Sequence, residues 1–568
     1  MRPGVNVEQG QAELSAIAGS IARENAQTNA GWGIRAMPLA GFLAGPNTGR
    51  TIWMIFAAVA LLWVLACANV AGLQMARNIA RRHEIGTRLA LGASRGRLMA
   101  QSLTESAVLA FGGGIFGVVQ AGCAIAAIRR LASGSLPRMA HLSMDPAAIA
   151  AAAGCLFAST LLFGVSWGRP PALQQRREVS RRDGGRDLLV VVQVAMAIIL
   201  LCGAGLLSES FLRLRAVDPG FDPDRVLDVR VDLPGQREAE TRRIAFFREA
   251  AERLARLPEV KSAGATNVVP FSGHGTANRF RVEEEAASAE YRVAAWRAVT
   301  PGFFTTLGIP LKRGRLFTEG DADGALEVVI LSESMAKRFW PNRDPIGRRL
   351  LWGRSASPKT IVGVVGDLRD MAVDAVPVPT MFRPFAQLPD APMTMVIRTR
   401  GEPAAAIADV RREIWAIEGN AALEFQPLRQ AMADSILRPR ASLMAVAAFS
   451  ILALITAAFG LYGLIGYRVN QRRREIGIRL ALGAPAGWIH WDVQKRCLML
   501  VGAGAGIGLP LAYAVSGLMT SLLYETRPSE TGAYVVVLAV FLAVGFVASY
   551  GPARRASRMD PAAAIRHE

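Results

Sequence analysis

Seven apolar segments, near residues 51–72, 103–128, 146–167, 188–209, 442–467, 497–520 and 532–551, each reach the ~20 residues that a helix needs to cross a bilayer. A spanning segment must satisfy its own backbone polar groups, so such a chain reads as a polytopic α-helical membrane protein. The short loops alternate sharply in arginine. Loop 73–102 holds Arg77, Arg81, Arg82, Arg88, Arg95 and Arg97, and loops 168–187 and 468–496 and the tail from Arg554 are basic as well. Loops 129–145 and 519–531 are poorer in basic residues. The rich loops are therefore expected in the cytoplasm, and the poor loops and the long region 210–440 on the outer side. The net charge of +19 comes from these flanks rather than from one folded basic face, which sets nucleic acid aside as a partner.

One string occurs twice. Glu84-Ile85-Gly86-Thr87-Arg88-Leu89-Ala90-Leu91-Gly92-Ala93 matches Glu475-Ile476-Gly477-Ile478-Arg479-Leu480-Ala481-Leu482-Gly483-Ala484 everywhere except Thr87/Ile478. A fixed offset of 391 positions, the separation of Glu84 and Glu475, relates the copies. Each copy reads as a short amphipathic helix closed by a glycine: the Glu and Arg stand four apart and can pair, and Ile85/Leu89 or Ile476/Leu480 line another face. The same offset sets Gly113 on Gly504 and Gly117 on Gly508. Small residues four apart allow close helix packing in lipid, and neither stretch fits a dinucleotide-binding glycine loop.

Region 210–440 reads as a folded α+β domain. Leu227, Val229, Val231 and Leu233 alternate with Asp228, Arg230 and Asp232, the period of a half-buried strand. A helix is expected from Arg237 to Leu257 with Ile244, Phe247, Ala251 and Leu254 on one face, and further strands at 260–269, 278–284, 291–299, 327–331, 359–366 and 393–399. A helix carrying Ile407, Val410 and Ile414 then leads to an extended stretch, Leu423–Leu428. Residues 12–25 and 34–39 repeat that order of helix and extended piece.

Chemistry is hard to place. Ser272 and His274 could suggest a hydrolase, but two residues apart in a Gly-rich loop they read as a turn. Glu319, Asp321 and Asp323 lack the ligand set of an EF-hand loop, and the five histidines form no zinc-peptidase motif. None of the five lysines, Lys261, Lys312, Lys337, Lys359 and Lys495, belongs to a G-x-x-x-x-G-K-[ST] phosphate loop. The five cysteines lie in or beside apolar segments and none falls in 210–440, so no disulfide or thiolate metal site is expected there. The expectation is a protein without catalytic residues, metal or cofactor.

The outer region carries Val299-Thr300-Pro301-Gly302-Phe303-Phe304, Leu307-Gly308-Ile309-Pro310, Phe339-Trp340-Pro341, Asp344-Pro345-Ile346-Gly347-Arg348 and Ile361-Val362-Gly363-Val364-Val365-Gly366-Asp367. With the repeated string, this series resembles the permease subunits of MacB/FtsX-type ABC systems, and more closely the duplicated acidobacterial-type permeases. The resemblance implies a tail of a truncated first extracytoplasmic domain at 1–50 and a first FtsX-like permease domain at 51–170. After these it implies a cytoplasmic linker at 171–187, a span at 188–209, a MacB-like periplasmic core domain at 210–440 and a second permease domain at 441–568. It also implies a multi-pass protein of the bacterial inner membrane that couples a separate cytoplasmic ABC ATPase to its outer domain and acts there on a substrate or a periplasmic partner. The coupling residues would be Glu84, Ile85, Gly86, Arg88, Leu89 and Gly92 with Glu475, Ile476, Gly477, Arg479, Leu480 and Gly483. An alternative is a non-transporting scaffold that gates an extracytoplasmic hydrolase or signalling partner.

Overall fold

The computed structural model describes residues 6–25, 33–38, 48–80, 87–88, 91, 94–132, 144–165, 177–233, 240–272, 275–284, 291–352, 357–369, 373, 375–388, 392–520, 523–526 and 531–560. Helix α1 (Val7–Glu24) precedes α2 (Thr48–Ala80), α3 (Arg95–Ala132), α4 (Pro146–Val165) and α5 (Arg177–Arg215). The chain continues through β1 (Val226–Asp232), α6 (Glu240–Ala255), β2 (Val260–Thr266), β3 (Ala277–Val282), β4 (Arg292–Val299), α7 (Phe303–Leu307), β5 (Leu311–Gly314), β6 (Val328–Ser332) and α8 (Glu333–Phe339). Then come β7 (Arg349–Trp352), β8 (Pro358–Val365), β9 (Thr380–Pro384), β10 (Thr394–Thr399), α9 (Pro403–Ile417), β11 (Ala422–Pro427) and α10 (Leu428–Ser435). Helices α11 (Leu437–Gln471), α12 (Arg473–Ala481), α13 (Ala486–Met519) and α14 (Gly532–Ser557) complete it. The chain divides into two units, one of residues 1–45 and 212–440 and one of 46–211 and 441–568.

In the helical unit, six helices among the described residues are long and apolar enough to cross a membrane, within α2, α3, α5, α11, α13 and α14. The expected segment at 146–167 is the shorter helix α4, with an apolar stretch Pro146–Thr160. Their common core gathers Leu65 of α2, Val194 and Ile198 of α5, Leu461 of α11, Val501 of α13 and Phe541 of α14. Helices α2 and α11, corresponding elements of the two repeats, meet at corresponding positions. Asn69 Nδ2 donates to the Thr456 carbonyl at 2.7 Å, and Asn69 Oδ1 lies 2.7 Å from where a Cβ of Gly460 would stand. Asn69 and Gly460 are 391 apart, so this contact joins equivalent positions of the two copies. A side chain at 460 would drive a methyl group into amide oxygens; glycine lets the backbones approach.

In the other unit, β11, β1, β10 and β2 form an antiparallel run, and β2 leads through one paired position into β4. From β4 the order is β3, β7, β8, β6, β9, and β9 returns to pair with β4 in parallel, closing a ring of strands. The alternation expected of β1 is present: Leu227, Val229 and Val231 are buried while Arg230 and Asp232 are exposed. Phe247, Ala250 and Leu254 of α6 and Val410 and Ile414 of α9 pack on that run, with Ile244 and Ala251 at the margin. Inside the ring, Phe280, Leu331, Leu350, Ile361 and Met381 form a second core. The short turn or helix that the sequence suggests after Pro301 and Gly302 is α7, whereas strands β5, β7 and β9 and helices α8 and α10 were not expected from the sequence. The stretches at 34–38 and 6–25 are tied by Gln11, whose Oε1 accepts from Ala36 N and whose Nε2 donates to the Ile34 carbonyl.

Buried cations brace this domain. Arg398 of β10 donates to Asp222 Oδ2 at 2.7 Å and to the carbonyls of Thr306 (2.7 Å), Asp222 (2.9 Å) and Asp224 (3.0 Å), joining three segments that are distant in sequence. Arg398 is the buried partner and Asp222 is 56% exposed, so the bonds to the three carbonyls, more than the ion pair, carry the brace.

Asp228 of β1 is the counter-case. Burial pushes its carboxyl up to about 7, against the helpful charge of Arg230 and with the opposing charge of Glu424. A carboxyl whose folded value lies above its unfolded value of 3.8 stabilises below that value and loses this contribution as pH rises through about 7. Residues 212–436 expressed alone are expected to be soluble and to melt cooperatively, with a stability that falls between pH 4 and 7. For one proton the slope is at most about 1.4 kcal/mol per pH unit, and Asp228→Asn should flatten it. Calorimetry across that range checks both.

Candidate functional site

The second copy of the repeated string folds as α12, directly after α11. Its buried side is narrow: Ile476 packs with Val469 of α11, Ile489 of α13 and Ala556 of α14, with Leu480 at the edge. Glu475 and Arg479 form the expected pair one turn apart, and the Arg479 guanidinium also lies over the Trp488 ring at 5.6 Å. Gly483 closes the helix in the left-handed region at φ +90°, with its N–H donating to the Leu480 carbonyl and that of Ala484 to Arg479, each at 3.0 Å. A residue with a Cβ is strained in that conformation, which explains the glycine there. Pro485 then opens α13.

Of the first copy, Thr87, Arg88 and Leu91 are described. Leu91 N donates to the Thr87 carbonyl at 3.0 Å, and Arg88 Nη1 donates to Gln101 Oε1 at 3.1 Å. The expected residues Glu84, Ile85, Gly86, Leu89 and Gly92 lie outside the described residues. The two copies share a feature that amphipathic reasoning passed over. Leu91 and Leu482, at matching positions, are 82% and 83% exposed. Each is an apolar side chain left exposed at the end of a basic turn.

Beneath α12 lies a second group that the sequence did not single out. Asp187 of α5 pairs with Arg468 of α11 and, at 3.3 Å, with Arg496 of α13. One carboxylate thus gathers three helices at their arginine-rich ends. Asp187 is an acid at the threshold of a span, but its pairing across more than 280 positions leaves no mark in the sequence.

The four packing glycines part company. A Cβ on Gly504 would stand 2.6 Å from Val194 Cγ1, and one on Gly508 would stand 2.9 Å from Ala195 Cα. Helices α5 and α13 therefore touch nearly backbone to backbone. Gly113 and Gly117 have nothing within 4 Å of such a Cβ among the described residues, and it is Gly114 that meets a neighbour, Leu156 of α4.

The other candidates dissolve into structure. Asp321 accepts from Arg315 through both oxygens at 2.8 Å and from Thr318 N, and these bonds hold its carboxyl below the usual range. His274 lies outside the described residues, so the Ser272/His274 spacing receives no geometry. No cluster of three or more His, Cys, Asp or Glu side chains that could hold a metal occurs among the described residues.

The family described as MacB-like periplasmic core domain matches residues 188–417, and the FtsX-like permease C-terminal family matches twice, over 56–169 and 447–561. The macrolide export ATP-binding/permease protein MacB of Hahella chejuensis is 27% identical over 286 residues, 48% of this chain and 42% of that protein. The protein of the same name from Rhodospirillum rubrum is 26% identical over 395 residues, 67% of this chain and 57% of that protein. The chain thus spans about half the length of these relatives. A solved structure, the periplasmic region of MacB from Actinobacillus actinomycetemcomitans, aligns over 37% of this chain and 91% of that one at 17% identity, with a TM-score of 0.27.

The glycine contacts give a paired prediction. Gly508→Ala should destabilise the helical unit by about 1–3 kcal/mol, the usual cost of overpacking, while Gly117→Ala should be near neutral. Thermal unfolding in detergent of the two variants, side by side, reads the difference.

Proposed function

This chain belongs to the MacB/FtsX type of ABC transporter permeases, and from that membership we propose that it transmits movement from an ATPase at the cytoplasmic face to its own extracytoplasmic domain. It is a multi-pass membrane protein with residues 212–440 outside. Helix α5 leads into that domain and α11 leads out of it, which puts 472–485 at the cytoplasmic face, and the arginines of loop 73–102 put 87–94 there too, with α4 crossing as a seventh span. Residues 1–568 hold no phosphate-loop lysine, so in this reading nucleotide chemistry lies outside them. Work done outside is then efflux of a substrate or force on a periplasmic partner.

The observation that carries this reading is the matched pair Leu91 and Leu482. Two like surfaces on one chain suit a partner assembly that is itself two-fold. The arginines beside them, Arg88 and Arg479, supply charge complementarity, and the seam of Ile476 against α11, α13 and α14 lets a push on the turn move the spans rather than bend it. Gly504 and Gly508 of α13, packed against α5, serve the same end by holding those two spans together.

Burying a leucine contributes about 1.5–3 kcal/mol, so Leu91→Asp with Leu482→Asp should weaken ATPase association by at least about tenfold. Arg88→Glu with Arg479→Glu should act in the same direction. An exposed pair of this kind contributes only about 0.3–0.5 kcal/mol to a helix, so membrane levels should stay normal. Co-purification of the ATPase and its stimulated turnover measure both; undiminished association in both double variants would remove the coupling role.

A further inference from the structure

Between α12 and the first turns of α13 lies a cavity of about 50 Å³. Each water takes up ~30 Å³ of the liquid, so the space holds a phosphate-sized group and falls far short of the ~300–1,000 Å³ of a pocket for a whole small molecule. Its lining has two characters. Ile465, Ile476 and Ile489 make an apolar side, while four arginines face two carboxylates, Glu475 and Asp492. Two of the arginines are engaged, Arg468 by Asp187 and Arg479 by Glu475. The other two are held loosely: Arg472 comes within 4.0 Å of Glu475 with 53% of its side chain exposed, and Arg496 reaches Asp187 at 3.3 Å with 47% exposed. Positive charge is in excess where the cavity opens.

The depth of this cavity follows from the topology. It sits where α11 ends and α13 begins, at the cytoplasmic boundary, and Trp488 and Trp491 on the first turns of α13 are 52% and 54% exposed. Half-exposed indoles at the ends of spanning helices mark the headgroup level of a bilayer. An amphipathic cavity at that level, cationic at its mouth and apolar within, matches the phosphate and glycerol of a lipid better than a free anion, which has no use for the isoleucines. Basic pockets between spanning helices on the cytoplasmic side are suited to such headgroups.

We propose that the cavity bounded by Arg472, Arg479, Arg496 and Trp488 is a binding site for the phosphate of an anionic phospholipid from the cytoplasmic leaflet. The lipid bridges α11, α12 and α13, so the seating of the coupling helix depends on membrane charge. This site is independent of what docks on Leu482.

The test uses the full chain in nanodiscs of equal parts phosphatidylglycerol and phosphatidylcholine, released into detergent and weighed by native mass spectrometry. The wild type should retain one phosphatidylglycerol in preference to phosphatidylcholine. Each arginine at the mouth of the cavity that reaches the bound phosphate contributes about a fivefold preference for anionic lipid. Arg472→Gln should therefore lower the preference about fivefold, and Arg472→Gln with Arg496→Gln about thirtyfold. Arg554→Gln with Arg555→Gln, an equal loss of charge at exposed positions on α14, should leave it unchanged. The single variant keeps the test valid if the double variant fails to reach the membrane, because Arg472 has no close ion pair to lose. Equal retention in wild type and Arg472→Gln, or an equal loss in the α14 variant, overturns the proposal. Retention of inorganic phosphate with no preference for phosphatidylglycerol would make the ligand a free anion and overturn it as well.

Discussion

The carboxylate of Asp187 is the contact on which the rest of the helical unit depends. It stands where α5 enters the membrane and binds Arg468 at the end of α11 and Arg496 near the start of α13. Arg468 is only 13% exposed, so an unpaired guanidinium there would sit partly desolvated, at a cost of several kcal/mol. That cost makes the three helix ends move together. Further along the same helices, Gly504 and Gly508 bring α13 against Val194 and Ala195 of α5, and near the far end the Ser210 hydroxyl accepts from Tyr524 N at 2.8 Å. Pinned by charge, by close packing and by a hydrogen bond along one line, α5 and the chain of α13 behave as a strut.

Such a strut matters because of what is attached to it. Helix α12 rests on the ends of α11, α13 and α14 through Ile476 and offers Leu482 to the solvent. Helices α5 and α11 run without a break into the flanks of the extracytoplasmic domain. That domain is braced in turn by Arg398, which ties the segment just after α5 to α7 and β10.

Much of this was legible in the sequence, and the parts that were not share a cause. Spans, their orientation, β1 and the faces of α6 and α9 all follow from local periodicity, which backbone geometry imposes directly. Strands β7 and β9 are too short for a period to register, and β9 is set among Pro377, Pro379 and Pro384, residues that ordinarily argue against a strand. Its burial comes from closing the ring with β4, a partner more than eighty positions away. The glycine pairs teach the same lesson. Gly113/Gly117 and Gly504/Gly508 occupy equivalent places in the repeat, yet among the described residues only the second pair meets a helix closely, because α5 lies beside α13. Leu91 and Leu482 and the clamp at Asp187 were invisible for a related reason: exposure and long-range pairing belong to the fold, not to the string that the two copies share.

In the proposed coupling, ATP-driven movement reaches the outer domain through these helices. The most direct measurement is pulsed electron paramagnetic resonance on the reconstituted chain with its ATPase, its five native cysteines replaced. Spin labels at Trp415→Cys in the outer domain and Arg554→Cys at the cytoplasmic end would report the distance between them. The distribution should shift by a few ångströms when ATP is added, and the shift should shrink in Asp187→Asn while ATPase association persists. Identical distributions with and without ATP, in a sample that turns ATP over, would contradict the account.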